Sequence, residues 1–444
     1  MRKTFLTIFA LLLLGSILPA NGQPGYVPSE EIKASQQKFR EYKLGIFIHW
    51  GIYSMLGQGE WVMHNQDLNY QEYPKLAEGF YPINFNAKEW VSSIKDAGAK
   101  YICITTRHHD GFSMFDTECS DYNIVDSTPY GKDIIAEIAR ECKEQGIALH
   151  FYYSTLDWGR LDYPRGRTGL GTGRPAQTDE NTYFDFMKGQ LRELLTKYGD
   201  IGCIWFDGHW DHDQDTVDYY WRYDQIYPLI HELQPGCLIG NNHHLNPIEG
   251  ENIQIFERDI PGENTAGWHE GEVSALPLET CQTMNRSWGY RIKDQDYKSI
   301  NQIIKYLVST AGRDANLLLN VGPQPDGRIP ATALERLSAL GDWMEANGET
   351  IYGTRSTIIP PQSWGVVTHK ENKMWLHIFP EDLAKAKVGK TLYVPYHSDR
   401  KVKEVNTFGT KEKLSHKQYK EGIFITLPEI PSDCADFIIE INFR

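Results

Sequence analysis

Cysteine is scarce in this sequence, and its few copies follow no recognisable spacing. Seven cysteines are spread over 444 residues, and none lies in a Cys-x-x-Cys pair or another zinc-ligand spacing. A disulfide framework would need an even set of cysteines, and a structural zinc site would need paired ligands, so neither is indicated. Cys103 and Cys203 lie within apolar, strand-like stretches and are interpreted as buried thiols.

The chain has too few basic residues for a protein that binds nucleic acid. Lys and Arg number 45 against 59 Asp and Glu, which gives a formal net charge of −14. Nucleic acid binding needs a basic footprint, so nucleic acid is excluded as a partner. The glycine-rich stretch 165–174 lacks the Gly-Lys-Ser/Thr of a phosphate-binding loop and is interpreted as a mobile loop.

The motif of the common zinc hydrolases is missing as well. No His-Glu-x-x-His occurs, although the chain holds 15 histidines. Adjacent side chains on a strand point to opposite faces, so His108 and His109 are not expected to chelate one ion. We therefore expect neither a metal nor another cofactor. A metal hydrolase is kept as an alternative that a chelator would inactivate.

The one long apolar run near the N-terminus is typical of a secretory signal. Arg2 and Lys3 precede the apolar stretch 4–18, and small residues occupy the cleavage positions before Gln23. The apolar stretch is too short for a spanning helix. We predict a signal peptide over 1–22, export to the periplasm or the medium, and no membrane span after cleavage.

Strand-like and helix-like segments alternate over most of the chain. Continuous apolar strands separated by helices predict a parallel sheet covered by helices, and eight such units favour a (β/α)8 barrel of the TIM type. An open doubly wound sheet is the alternative. The eight strand candidates are residues 44–49, 101–105, 148–153, 201–206, 237–240, 253–256, 287–290 and 316–321.

The pattern changes after residue 352. Six short strand-like segments follow, separated by turn residues and without a long helix between them. Such a pattern predicts a small antiparallel β-sandwich. The predicted division is a signal over 1–22, a catalytic barrel over 23–352 and a β-sandwich over 353–444.

Polar and aromatic residues follow most of the predicted barrel strands. In a barrel of this type the carboxyl ends of the strands form the active site, so these residues are expected to meet in one pocket. Aromatic residues make up 12% of the chain, which fits stacking on sugar rings. The candidate residues at strand ends are His49, Glu60, Trp61, His108, His109, Tyr152, Trp205, Asp207, Glu257 and Trp288.

Two of these residues suit the hydrolysis of a glycosidic bond, which needs a pair of carboxyl groups. Asp207 follows an apolar strand and precedes Gly208, so a substrate can approach its carboxylate closely. We expect Asp207 to be the ionised nucleophile and Glu257 to be the drier acid/base with a raised pKa. A retaining enzyme would hold the two carboxyl groups about 5–5.5 Å apart.

Several stretches of the chain resemble the α-L-fucosidases of glycoside hydrolase family 29. The matching stretches are 45–51 (Gly-Ile-Phe-Ile-His-Trp-Gly), 59–61, 107–112 (Arg-His-His-Asp-Gly-Phe), 152–154, 204–208, 277–281, 288–290 and 316–323 (Asn-Leu-Leu-Leu-Asn-Val-Gly-Pro). The resemblance implies a retaining exo-hydrolase that removes terminal α-L-fucose from oligosaccharides or glycoprotein glycans. It also implies Asp207 as nucleophile. The fucose-binding set that it implies is His49, Glu60, Trp61, His108, His109, Tyr152 and Trp205, with Trp288 as an aromatic contact to the sugar.

The identity of the acid/base stays open at this level. Glu257 fits best by its position after the nucleophile and before a Pro-Gly, Glu279 is its rival, and Glu263 and Glu270 are weaker candidates. The alternative functions are a glycosidase for a related deoxy or galacto-configured sugar and a non-catalytic sugar-binding barrel. Linkage preference is expected to depend on the loops 159–182 and 209–217.

Overall fold

The computed structural model of the protein describes residues 25–176, 179–386, 389–397 and 400–444. The predicted signal peptide therefore lies outside the described residues. Within them, no helix is long and apolar enough to cross a membrane.

Eight parallel strands form one sheet that curves into a nearly closed barrel. Their order in the sheet is β5-β4-β3-β2-β1-β8-β7-β6. The strands are β1 (Leu44–Ile48), β2 (Tyr101–Arg107), β3 (Ala148–Ser154), β4 (Ile201–Asp207), β5 (Leu238–Asn241), β6 (Gln254–Glu257), β7 (Leu278–Thr283) and β8 (Ala315–Val321). The predicted (β/α)8 fold is confirmed.

Helices precede, separate and follow the barrel strands along the chain, and one more helix, α9, lies among the C-terminal strands. The helices are α1 (Glu30–Tyr42), α2 (Val62–Asn65), α3 (Ala87–Asp96), α4 (Ile134–Gln145), α5 (Glu180–Lys197), α6 (Tyr223–Leu233), α7 (Ile300–Ala311), α8 (Ala331–Asn347) and α9 (Pro380–Lys385). Five of them begin at a side chain that caps the first turn. The capping residues are Ser29, Asn86, Asp133, Asp179 and Ser299. α6 begins four residues later than the predicted 219, because Arg222 adopts a left-handed conformation with φ of 55°.

The seventh strand is not where the sequence predicts it. Residues 287–290 form a loop, and the strand is Leu278–Thr283. All six residues of the strand are buried although four of them are polar, and distant chain segments supply partners: Tyr101 and Trp205 for Glu279, and Tyr306 for Gln282. A buried polar strand carries no apolar run, and the prediction therefore placed the strand on a nearby aromatic segment instead.

The barrel has a seam between β5 and β6, which share no regular ladder. Two backbone bonds join the strands there, from the nitrogens of Asn252 and Ile253 to the carbonyl of Ile239 at 2.8 and 3.2 Å. Gly240 leaves space for the side chain of Ile253, since a β-carbon at position 240 would lie 2.7 Å from that side chain. The loops that follow β5 and β6 carry residues of the candidate active site.

Two antiparallel sheets form the C-terminal part of the described chain and share an apolar core. Their orders are β13-β16-β11-β10-β9 and β12-β15-β14. The strands are β9 (Arg355–Ser356), β10 (Gly365–Lys370), β11 (Lys373–Ile378), β12 (Thr391–Val394), β13 (Val402–Thr407), β14 (His416–Gln418), β15 (Ile423–Thr426) and β16 (Phe437–Phe443). The predicted sandwich is confirmed, with β9 and β14 as additions.

One ion pair is buried beside the carboxyl ends of the barrel strands. Arg107 ends β2 and pairs with Asp157 in the loop after β3, and both side chains are almost fully buried. The Arg107 guanidinium also donates to the carbonyl of Ser154 at 2.8 Å. Asp157 accepts the backbone nitrogens of Gly159 and Arg160 at 2.7 and 2.8 Å, so the pair fixes the start of the loop.

We expect Asp157→Asn to lower the free energy of unfolding by about 3–5 kcal/mol, because it leaves the Arg107 charge buried without a counter-charge. The matched control is Asp296→Asn, whose partner Arg286 is exposed; that change should cost less than about 1 kcal/mol. Urea unfolding followed by tryptophan fluorescence compares the two variants. Equal losses would contradict the role given to the buried pair.

Candidate active site

A cavity of about 1330 Å³ opens at the carboxyl ends of the barrel strands. It exceeds the roughly 300–1,000 Å³ typical of a pocket for a drug-sized ligand. Of the residues predicted for the site, nine line the cavity: His49, Glu60, Trp61, His108, Tyr152, Trp205, Asp207, Glu257 and Trp288. His109 lies directly behind them, with its Nε2 atom 3.5 Å from Asp207 Oδ2. The structure therefore brings the predicted set together.

Asp207 is the last residue of β4, and hydrogen-bond donors surround its carboxylate. Tyr152 Oη donates to Oδ2 at 2.9 Å, and Trp210 Nε1 donates to Oδ1 at 2.9 Å. The backbone nitrogen of Gly208 and the amide of Asn242 also donate to Oδ1, at 2.9 and 3.3 Å. Gly208 turns the chain with φ of 108°, a conformation that favours glycine. Four donors hold one carboxylate in a fixed orientation.

Glu257 is the last residue of β6, across the barrel seam from β5. The amide of Asn242 donates to its Oε2 atom at 2.9 Å. His244 Nε2 approaches the same oxygen to 3.4 Å, and Arg258 Nε lies 4.0 Å from Oε1. A neutral amide, an imidazole and a guanidinium thus converge on this second carboxyl group.

One side chain bridges the two carboxyl groups. Asn242 Nδ2 lies 3.3 Å from Asp207 Oδ1 and 2.9 Å from Glu257 Oε2. The two carboxyl groups therefore share one hydrogen-bond donor and face the same part of the cavity. Such a pair can perform attack and proton transfer at one carbon.

The pKa values of the two carboxyl groups run opposite to the prediction. Burial and the charge of Glu257 raise the pKa of Asp207 to about 6. Burial also acts on Glu257, but His244, Asn242 and Arg258 outweigh it and leave the pKa of Glu257 below its ordinary value. The prediction of a raised pKa for Glu257 is therefore wrong, because polar groups from two loops converge on it.

His49 serves the cavity as a neutral group. Burial lowers its pKa to about 3. Its Nδ1 atom lies 2.7 Å from Asn320 Oδ1, and the amide nitrogen of Asn320 donates to the carbonyl of Trp288. The Asn320 oxygen therefore accepts the proton on His49 Nδ1, and His49 Nε2 is left as an acceptor for a ligand hydroxyl.

His109 has the same proton arrangement. Its Nδ1 atom lies 2.7 Å from Ser154 Oγ, and the Ser154 hydroxyl itself donates to the carbonyl of Leu156. Nδ1 therefore carries the proton, and Nε2 faces Asp207 as an acceptor. Burial lowers the pKa of both His108 and His109 well below the ordinary value. His109 therefore offers Asp207 neither a positive charge nor a hydrogen bond.

The two adjacent histidines do not point to opposite faces. Their ring centres lie 4.1 Å apart, and His108 stacks on Tyr152. The expectation that these two side chains point to opposite faces is wrong. Both residues follow Arg107, the last residue of β2, so strand alternation no longer applies to them. Among the described residues, no three His, Cys, Asp or Glu side chains are grouped as a metal would need.

Aromatic rings and one more carboxylate complete the wall of the cavity. Glu60 accepts the backbone nitrogen of Gly289 at 2.7 Å, and burial raises the pKa of this carboxyl. Trp61 stacks on Trp210, the residue that donates to Asp207. Trp288 lies under the Arg258 guanidinium, 5.0 Å from the ring centre.

The other glutamates considered for proton transfer lie elsewhere. Glu279 is fully buried inside the barrel, where it accepts Tyr101 Oη at 2.6 Å and Trp205 Nε1 at 2.8 Å. Burial raises the pKa of Glu279 to about 7. Glu263 pairs with Arg313 at 2.5 Å, and Glu270 lines the outer part of the cavity.

Sequence reasoning missed Asn242, Trp210, His244, Arg258 and Phe47 as contributors to the site. A signal existed for two of them. Asn242 and His244 follow β5 directly, so the rule that places site residues after barrel strands would have flagged this strand end as well. Trp210 and Phe47 carried no such signal, since an isolated aromatic residue is usually part of the core.

Comparison with known proteins gives a consistent picture. A sequence model described as Alpha-L-fucosidase matches residues 20–349. Tissue alpha-L-fucosidase of Rattus norvegicus is 28% identical and aligns over 95% of this chain and 94% of its own length.

Solved structures agree with the sequence relatives. Alpha-L-fucosidase isoenzyme 1 of Paenibacillus thiaminolyticus is 33% identical with a TM-score of 0.81, covering 93% of this chain and 100% of that one. An alpha-L-fucosidase from Vibrio sp. strain EJY3 is 27% identical with a TM-score of 0.81, covering 93% and 73%. The resemblance seen in the sequence is confirmed: the chain belongs to the alpha-L-fucosidase family.

Proposed function

We propose that the protein removes terminal α-L-fucosyl residues from glycans with retention of configuration, with Asp207 as nucleophile and Glu257 as acid/base. The observation that carries the proposal is the Asn242 amide, which hydrogen-bonds to both carboxyl groups at the base of one aromatic cavity. Two carboxyl groups that share one hydrogen-bond donor and face the same part of the cavity suit a double displacement.

The reaction has two steps. Asp207 attacks the anomeric carbon of fucose while Glu257 gives its proton to the glycosidic oxygen, so the C–O bond to the leaving sugar breaks and a fucosyl ester forms. Glu257, now a carboxylate, takes a proton from a water molecule whose oxygen attacks the same carbon and releases Asp207. Two inversions return the α configuration.

The remaining residues bind the fucose ring. His49 and His109 each offer an unprotonated Nε2 atom, and Glu60 offers carboxylate oxygens, so three acceptors are available to sugar hydroxyl groups. The rings of Phe47 and Trp288, 6.1 Å apart, supply apolar surface. A 6-deoxy sugar carries a methyl group that suits such a wall.

Burial supports Glu257 over its rivals as the proton donor. Glu279 has no exposed surface, and Tyr101 and Trp205 engage both of its oxygens. Glu263 is paired with Arg313. Glu257 lines the cavity together with Asp207, and Asn242 donates to both carboxyl groups.

We also propose that the protein is exported through residues 1–22, which carry the charge and apolar pattern of a signal peptide. The division into a catalytic barrel over 23–352 and a sandwich over 353–444 belongs to the same proposal. The change from alternating helices and strands to antiparallel strands supports it.

Asp207→Gly should reduce kcat/KM for an aryl α-L-fucoside on the order of 1,000-fold or more, which corresponds to about 4 kcal/mol of transition-state stabilisation. Added azide should restore turnover by attacking from the vacated side, and a single inversion then gives the β-fucosyl azide. Proton NMR identifies the anomer. An α-fucosyl azide from this variant would reject Asp207 as the nucleophile.

Glu257→Gln should lower kcat/KM by about 10²–10⁴-fold for fucosides with poor leaving groups, and by less for activated aryl fucosides that need no proton. Glu279→Gln is the matched control, since it makes the same isosteric change at the rival carboxyl group. Its effect should be independent of leaving-group pKa. If the leaving-group dependence followed Glu279 instead, the assignment would be reversed.

Activity should depend on pH through the carboxyl pair as a unit. The reactive form has Glu257 protonated and Asp207 ionised. It is the minor arrangement of the singly protonated pair, because the pKa of Asp207 is raised to about 6 and the pKa of Glu257 is lowered. For a fucosyl oligosaccharide, kcat/KM should therefore fall as pH rises through about 6. The acidic limb should lie lower, as the depressed pKa of Glu257 requires. Rates that still increase above pH 9 would refute this.

A further inference from the structure

The cavity continues outward past Glu257 into a second region that the fucose-binding residues do not use. We name this region the outer lobe and define it by His212, Asp213, Asp215, Asp218, Tyr219, Trp221, His244, Trp268 and Glu270. In the proposed reaction Glu257 protonates the bond to the leaving sugar. Groups beyond Glu257 therefore face the leaving group.

Trp268 is the one tryptophan among the exposed large apolar side chains of the described residues, with 46% of its surface accessible. Its ring stacks on His244 with centres 6.1 Å apart, and His244 Nε2 lies 3.4 Å from Glu257. An exposed indole two contacts away from the proton donor is a flat apolar face where the next sugar would sit.

The loop that carries Trp268 is held in place. The backbone nitrogens of Glu270 and Gly271 donate to the carbonyl of His244 at 2.8 and 3.2 Å. Asn264 closes the loop from inside, since its amide donates to the carbonyl of His269 at 2.7 Å and its oxygen accepts the nitrogen of His269. A fixed loop presents Trp268 at low entropic cost to a ligand.

The opposite wall of the outer lobe holds a buried polar group. His212 is 6% exposed, and its Nδ1 atom lies 2.7 Å from Asp215. Its Nε2 atom has no hydrogen-bond partner, and neither has the hydroxyl of Tyr219, whose ring stacks on His212. Both atoms are buried, so a ligand hydroxyl group would reach them only after one of these side chains moves.

Acidic side chains predominate in the outer lobe. Four carboxylates line it, those of Asp213, Asp215, Asp218 and Glu270; Arg167 pairs with Asp213 at 3.3 Å, and His212 contacts Asp215. A leaving group that carries a carboxylate or sulfate would be repelled, because like charges meet at close range.

We infer that the outer lobe is a binding subsite for the sugar that leaves, that this sugar stacks on Trp268, and that the acidic lining selects neutral leaving groups over sialylated or sulfated ones. The inference rests on the proposed function and specifies its substrate class as neutral fucosylated oligosaccharides.

The test of stacking compares two substrates that share the fucose. α-L-Fucosyl fluoride has no leaving sugar, and the second substrate is the neutral fucosylated N-acetyllactosamine that the wild type cleaves fastest. Trp268→Ala should lower kcat/KM about tenfold for the glycan and less than about twofold for the fluoride. Trp268→Phe should recover most of the loss. Tyr419→Ala, an exposed aromatic residue of the C-terminal sheets, is the control and should change neither.

The test of charge uses the same glycan with and without a sialic acid on its lactosamine part. The double variant Asp218→Asn with Glu270→Gln should raise kcat/KM for the sialylated glycan about fivefold relative to the neutral one, and added salt should reduce that gain.

The possible outcomes distinguish a failure of the leaving-sugar subsite from a failure of the proposed function. Normal turnover of the fluoride with no effect of Trp268→Ala on the glycan would overturn the subsite and leave the proposed function standing. An equal loss on both substrates would also overturn it, because the tryptophan would then support the fold. Failure of the wild type to turn over the fluoride would overturn the proposed function together with this inference.

Discussion

The placement of two buried carboxyl groups against one amide nitrogen is the constraint on which the site depends. Asp207 and Glu257 end strands on opposite sides of the barrel seam, and Asn242 at that seam donates to both. Burial and the negative charge of Glu257 raise the pKa of Asp207 to about 6. The pair therefore holds a single proton at mildly acidic pH, and double displacement needs one proton on the pair.

The surroundings then decide how each carboxyl group behaves. Tyr152, Trp210 and the Gly208 backbone hold Asp207 by hydrogen bonds, so its oxygens are oriented before a substrate arrives. Such preorganisation is the main way in which a folded protein stabilises a charged transition state. Glu257 has cationic and imidazole neighbours that favour its ionised form, as the second step of the reaction needs.

The second feature of the cavity is a pair of buried histidines without charge. His49 lines the cavity and His109 lies directly behind the lining residues; each has a fixed Nδ1 partner, so both present an acceptor nitrogen without a charge. A neutral acceptor binds a hydroxyl group and leaves the electrostatics of the carboxyl pair undisturbed. Glu279 has a structural role in the barrel interior, where its carboxyl group accepts a hydrogen bond from the indole of Trp205.

The barrel, the antiparallel sheets, the family and nine of the residues that line the cavity could be predicted from the sequence, because apolar runs, capping side chains and strand-end residues are local signals. The strand Leu278–Thr283 could not, because its buried polar residues Glu279 and Gln282 find their partners on distant segments of the chain. Only the tertiary structure decided that Asn242 bridges the carboxyl groups, and that Glu257 rather than Asp207 has the lowered pKa. The physical reason is that a pKa and a bridging contact are sums over groups from several chain segments, whose distances no local pattern contains.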